Sequence, residues 1–170
     1  DQDSLIKAIL EANKNTTVVI NTGSPVEMTW IDNADAVIQT WFAGQEFGNA
    51  LVDIITGEVN PSGRLPTTFP KNIADTPAYD CYPGKDAQMN YDEKLLVGYR
   101  WFDRKANDPL FPFGHGLSYT QFQYSDLEIK MGDSNKVSCK FMITNIGDVI
   151  GAEVAQCYVA FKNSDNFEPI

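Results

Sequence analysis

The sequence predicts an α/β fold with parallel strands that gives way near residue 120 to a β-sandwich. Three observations predict it. Between residues 3 and 57, local patterns run helix, strand, loop, strand, helix, which argues for parallel strands covered by helices. After Thr120 the apolar residues switch to period two, with turn signals between runs, the grammar of a sandwich. Neither set is complete. Two strands and two helices are too few for a layered sheet, and three strands fall short of the roughly seven a sandwich needs. The chain therefore reads as the second half of one domain followed by the opening of another.

The elements follow in order. Residues 3–14 read as an amphipathic helix, with Leu5, Ile6, Ile9 and Leu10 on one stripe and Lys7, Glu11 and Lys14 elsewhere. Asp3 or Ser4 is the expected cap. Residues 16–20 are a β-branched run suited to a buried strand, ended by the turn residues Asn21-Thr22-Gly23-Ser24-Pro25. Residues 36–42 are a second strand. Residues 45–57 are a helix with Phe47, Ala50, Leu51, Ile54 and Ile55 inward and Gly57 at its end. Residues 64–69 are extended between prolines, and 70–92 are polar and irregular. A stretch that long without structure is usually functional or laid over another surface. Residues 95–102 are expected to resume as an aromatic-rich strand, and 109–119 are irregular. Strands are then expected at 124–131, 136–145 and 151–161. Val137, Cys139, Phe141 and Ile143 share one face, and Ala155, Cys157, Val159 and Phe161 another.

Composition narrows the function. With 170 residues the chain suits one domain, or a compact unit plus part of a second. Its 13 basic and 23 acidic residues leave a charge of -10, so the basic footprint of a nucleic-acid or anionic-membrane binder is missing. No apolar run approaches the roughly 20 residues that span a membrane. The start, Asp1-Gln2-Asp3-Ser4, has no signal-peptide pattern. Cys81, Cys139 and Cys157 are too few and too widely spaced for a disulfide framework. One histidine and no CxxC argue against zinc, and no cofactor is implied. Asn15-Thr16-Thr17 is a glycosylation sequon, meaningful only in a secreted protein. The compartment is not fixed, with a secreted or extracellular setting favoured.

Four blocks resemble family 3 glycoside hydrolases of the β-glucosidase type. Gly44-Gln45-Glu46-Phe47-Gly48-Asn49-Ala50 resembles the GQExGNA block. Gly57-Glu58-Val59-Asn60-Pro61-Ser62-Gly63-Arg64-Leu65-Pro66 resembles the GxxNPSG[KR]LP block. Val97-Gly98-Tyr99-Arg100-Trp101-Phe102-Asp103 resembles the VGYR segment, which the family pattern casts as a strand. Pro112-Phe113-Gly114-His115-Gly116-Leu117-Ser118-Tyr119-Thr120 resembles the PFGHGLSYT block. Each is modest alone; four in the family's order, across essentially the whole chain, are specific. One departure is Tyr91-Asp92-Glu93-Lys94, where the family commonly has Glu-Gly.

The resemblance implies more than the patterns do. Such enzymes carry an N-terminal barrel, an α/β sandwich domain and often a fibronectin type III-like domain. Residues 1–70 are then the second half of the α/β sandwich, 71–120 a connecting segment, and 121–170 an incomplete fibronectin type III-like domain. Residues 2–9 resemble the helix after the family's acid/base loop. The implied activity removes terminal non-reducing β-D-glucosyl residues with retention. The implied partners are a β-glucoside or oligosaccharide and the upstream barrel, with neither nucleic acid nor membrane. Retention needs two carboxyl groups about 5–5.5 Å apart. The family's nucleophilic Asp and acid/base Glu map onto no residue here, so the chain alone is expected to be inactive. Two interrupted domains also predict exposed sheet edges, and association of the chain with itself or with its missing part.

Each local candidate residue also has an ordinary role. Glu46 follows a strand's C-terminal end, where α/β sheets place ligands, but a Glu in a first helical turn ordinarily just favours the helix dipole. Glu93 beside Asp92 suggests a carboxylate pair, yet adjacent acids on an irregular stretch are usually solvated. His115 between glycines points to a sugar contact or an acid/base, or, with no carboxylate or Ser near it in sequence, to a structural hydrogen bond. Trp41, Trp101, Tyr91, Tyr99 and Phe102 suit sugar stacking or core packing. No GxSxG supports a serine hydrolase. Thr22-Gly23-Ser24 lacks the rest of a phosphate loop, which disfavours a nucleotide-binding domain. A non-catalytic carbohydrate-binding or interaction fragment stands as the alternative.

Overall fold

The computed structural model describes residues 1–86, 88–105, 107–133 and 136–159. The chain forms two compact units. The first holds Asp1–Gln45, Leu65–His115 and the segment beginning at Cys157; the second holds Glu46–Arg64 and Gly116–Gln156.

The first unit opens with helix α1 (Gln2–Ala12). Its cap is Asp1, whose carboxylate accepts from the Ser4 N–H at 2.8 Å. Asp3 and Ser4, the expected caps, lie inside the first turn. An acceptor three residues ahead of a free N–H is the spacing capping requires. Asp3 instead accepts from Trp30 Nε1 at 3.2 Å. Of the predicted stripe, Leu10 is buried and Ile6 half-buried, while Leu5 and Ile9 stay exposed.

Strand β1 (Thr17–Ile20) pairs in parallel with β2 (Ala36–Gln39), Thr17 opposite Ala36 and Ile20 opposite Gln39. β2 stops short of the predicted Phe42 because Trp41 adopts a positive φ of 55°, which no strand accommodates. Leu10, Ile20, Met28, Trp30 and Phe69 form the core, with Leu65, Leu110 and Phe111 packed against it. Phe69 reaches the core from the predicted extended segment. Its N–H donates to the Phe111 carbonyl at 2.8 Å, and the Leu65 N–H donates to the His115 carbonyl at 2.8 Å.

The strand expected at 95–102 is not there; α3 (Tyr99–Lys105) is a helix. The chain turns at 92–95, with Lys94 at φ 54°, and Gly98, at φ 59°, leads into the helix. Beyond Gly98, helical spacing places Tyr99 and Phe102 on one side. Phe102 is buried, and Tyr99 packs on Phe113 with ring centroids 5.3 Å apart. Trp101 Nε1 donates to the Asp75 carbonyl at 2.8 Å. Arg104 and Lys105 lie in the last turn, the favourable end of the dipole for cations.

The second unit holds helix α2 (Phe47–Thr56), ended by Gly57 in the left-handed region at φ 81°. Phe47, Leu51 and Ile54 are half-buried, whereas Ala50 and Ile55, expected inward, are exposed. Strands β3 (Phe122–Met131) and β4 (Val137–Asn145) pair antiparallel, Phe122 opposite Asn145 and Met131 opposite Val137. The register shifts between Ser125 and Glu128, a bulge at which Asp126 takes φ 55°. In the predicted turn, the Gly132 N–H donates to the Lys136 carbonyl at 2.7 Å; Ser134 and Asn135 lie outside the described residues.

The third predicted strand is absent over 151–159, and Phe161 lies outside the described residues. Period-two apolar spacing makes a segment suited to a strand, but only pairing makes it one. Glu153 is engaged by Arg64 instead.

Candidate functional site

The two parallel strands end side by side, and open α/β sheets bind ligands outside such ends. Two loops meet there, both in the first unit. After β1 come Asn21, Thr22 and Gly23; after β2 come Thr40, Trp41 and Phe42. The Thr40 N–H and hydroxyl both donate to the Ile20 carbonyl at 2.9 Å. Gln39 Nε2 donates to the Thr22 carbonyl and hydroxyl at 3.2 and 3.3 Å, and the Thr22 hydroxyl donates to the Ser24 carbonyl at 2.8 Å. Thr22 and Ser24, the remnant of a phosphate loop in sequence, thus bind each other.

Trp41 holds its left-handed backbone with its ring edge-on to Phe69, centroids 6.0 Å apart. A non-glycine residue there costs about 1 kcal/mol or more and persists only where surroundings enforce it; such residues cluster at functional sites. The turn throws Phe42 outward, 83 % exposed. Its ring lies over Gly23, where a Cβ would overlap the ring carbons. The sequence places Phe42 at the end of the second strand; the φ reversal at Trp41 has no sequence signal.

The carboxylates flagged in the sequence have other settings. Glu46 is exposed and belongs to the second unit, at the residue preceding α2. Its carboxylate takes no helix N–H and accepts from Asn49 Nδ2 at 2.6 Å. Glu93 belongs to the first unit, half-buried in a turn where its carbonyl accepts from the Leu96 N–H at 2.9 Å. Its Oε2 is buried without a hydrogen-bond partner among the described residues.

The His115 ring stacks on Phe111 at 4.9 Å, and the His115 backbone N–H donates to the Pro112 carbonyl at 3.1 Å. Tyr99, Trp101 and Phe102 take part in the packing of α3, Trp41 packs on Phe69, and Tyr91 is exposed. Among the described residues, no group of three or more His, Cys, Asp or Glu is placed to hold a metal ion, and no helix is long and apolar enough to cross a membrane.

Within the second unit, two of the sequence blocks meet at a buried polar junction. Asn60, 7 % exposed, accepts through Oδ1 from the Tyr119 N–H at 2.6 Å and from the Ser118 hydroxyl at 3.1 Å. The Tyr119 hydroxyl donates to the Ile54 carbonyl of α2 at 2.9 Å. The Thr120 hydroxyl donates to Asn145 Oδ1 at 2.6 Å, and Asn145 Nδ2 donates to the Val149 carbonyl at 2.8 Å. Arg64 pairs with Glu153 at 2.8 Å, their side chains 11 % and 15 % exposed. Partial burial, then the Glu153 charge, raises the Tyr124 phenol above its ordinary pKa, with Arg64 opposing. The NPSGR and GLSYT residues thus cement the unit. Sequence reading missed the roles of Asn60, Arg64 and Glu153, because a polar residue's burial carries no local periodicity.

Residues 1–119 match the model of the glycosyl hydrolase family 3 C-terminal domain. The chain belongs to glycosyl hydrolase family 3. It is 45 % identical over 162 residues to thermostable β-glucosidase B of Acetivibrio thermocellus, a match covering 94 % of this chain and 22 % of that protein. Its fold resembles the β-glucosidase of Kluyveromyces marxianus, with a TM-score of 0.84 and 36 % identity over 88 % of this chain and 18 % of that one. It also resembles β-glucosidase 3B of Thermotoga neapolitana solved with α-D-glucose, with a TM-score of 0.79 and 40 % identity over 86 % of this chain and 21 % of that one. This family 3 chain thus spans about a fifth of the length of the relatives it matches. Its mixed α and β content fits their C-terminal domain.

Proposed function

We propose that this chain is the C-terminal part of a β-glucosidase-type enzyme that removes terminal non-reducing β-D-glucosyl residues with retention. Its relatives named β-glucosidases match over nearly the whole chain, and that observation carries the reading. The substrate is a β-glucoside or oligosaccharide, and the family's barrel is the partner domain. The catalytic pair lies in parts of the enzyme that this chain does not contain. In this reading residues 1–70 belong to the α/β sandwich domain, 71–120 connect, and 121–170 open a fibronectin type III-like domain. The loops after β1 and β2 wall the substrate pocket. The apolar residues exposed on β3 and β4, among them Leu127, Ile129 and Met131, favour self-association of the isolated chain.

Hydrolysis of an aryl β-glucoside by the full-length enzyme and by the 170-residue chain tests the reading. The full-length enzyme is expected to turn over with retention, and the chain alone to be inert. Turnover by the chain alone overturns it and makes Glu46 and Glu93 the first residues to replace. Glu46→Gln and Glu93→Gln in the full-length enzyme are expected to stay within a few-fold of the parent. Loss of a catalytic acid or base costs on the order of 100-fold or more.

A further inference from the structure

We infer that Phe42 is a specificity-determining contact for the leaving group of the β-glucoside, its ring stacking on the flat apolar face of an aryl or pyranose aglycone. The inference rests on the reading above, that the loops after β1 and β2 wall the substrate pocket. Three observations carry it. Phe42 stands at the ligand-binding end of the parallel pair, 83 % exposed. The reversal that projects it is a left-handed backbone at Trp41, held by the Trp41 ring against Phe69. The neighbouring loop carries glycine where any side chain would overlap the Phe42 ring. Strain on one loop and a missing side chain on the other together seat an aromatic ring whose face finds little protein to cover it.

The chemistry around the ring selects the leaving group over the glucosyl ring. The glucosyl ring, enclosed at the reacting centre, needs hydrogen-bond partners for its hydroxyls, whereas a leaving-group ring at this exposed corner keeps its hydroxyls in water. Gln39 Nε2 and the Thr22 hydroxyl already bind within the loops, and Phe42 has no polar atom. A flat apolar surface is what this corner recognises.

The test uses the full-length enzyme with Phe42→Ala, Phe42→Tyr and Gly23→Ala. kcat/KM is measured on an aryl β-glucoside, a β-linked glucose disaccharide and methyl β-glucoside, beside the melting temperature of each variant. Phe42→Ala is expected to lower the preference for the aryl glucoside over the methyl glucoside about two- to ten-fold. Phe42→Tyr keeps the ring and the preference. Gly23→Ala displaces the ring and lowers the preference without touching Phe42 itself. The disaccharide tells a pyranose aglycone from an aryl one. An unchanged preference in Phe42→Ala with the parent active overturns the inference and leaves the functional reading standing. An equal loss on all substrates with a lower melting temperature also overturns it, making Phe42 a contact within the folded enzyme. A parent inert on every β-glucoside overturns both.

Discussion

Asn60 and Tyr119, far apart in sequence, are joined by a 2.6 Å hydrogen bond from the Tyr119 N–H to a side-chain oxygen that is almost wholly buried. The same oxygen takes the Ser118 hydroxyl, and Tyr119 itself reaches the Ile54 carbonyl near the end of α2. One side chain thereby ties the turn after α2 to the segment that leads into β3.

Asn60→Ala removes that acceptor and strands the Tyr119 N–H. An unsatisfied donor costs at most about 1–3 kcal/mol when fully buried, and this bond is part-buried. Urea unfolding of the variant is expected to show a lower midpoint with the slope unchanged. A midpoint equal to the parent's would mean that water replaces the asparagine.

Arg64 and Glu153 form a largely buried pair. Removing one partner leaves an uncompensated charge, a loss on the order of 3 kcal/mol, whereas replacing both with apolar residues of similar volume can be nearly neutral. Arg64→Met and Glu153→Met singly should each destabilise more than the double replacement. Simple addition of the two single effects in a double-mutant cycle would show that the pair is not coupled.

Acid stability has a site in the first unit. The Asn107 side chain holds the Asp75 carboxyl below its ordinary 3.8; burial opposes it, and the Asn72 backbone and side chain and the Lys71 charge add to the lowering. A depressed carboxyl stabilises the fold above its unfolded pKa, and the gain is lost as pH falls through the lower folded value. Asp75→Ala should therefore be less stable than the parent at pH 6. The gap should narrow as pH drops below about 4. Thermal melts across pH 2–6 read this directly, and a gap independent of pH would show that the ionised carboxylate does not stabilise the fold.

What the sequence by itself determined were the elements whose evidence is local. The helices α1 and α2 show in their apolar spacing, and Gly57 marks the end of α2 because only glycine sits easily at a left-handed cap. The strands β1, β3 and β4 show in β-branched or alternating runs, and four ordered blocks carry the family. Tertiary structure decided the rest. Residues 95–102 and 151–159 have strand-like composition, yet a strand exists only through a neighbour's hydrogen bonds. The turn at 92–95 and Gly98 made the first the approach to a helix that buries Phe102, and Arg64 claimed Glu153 in the second. Asp1 took the cap expected of Asp3, freeing Asp3 for Trp30. Asn60 became a junction and Phe42 an outward ring through contacts with Tyr119 and Gly23, distant in sequence. Periodicity reports which face of a segment is apolar; which polar group is buried, and which ring is left uncovered, depends on chain segments that only folding brings together.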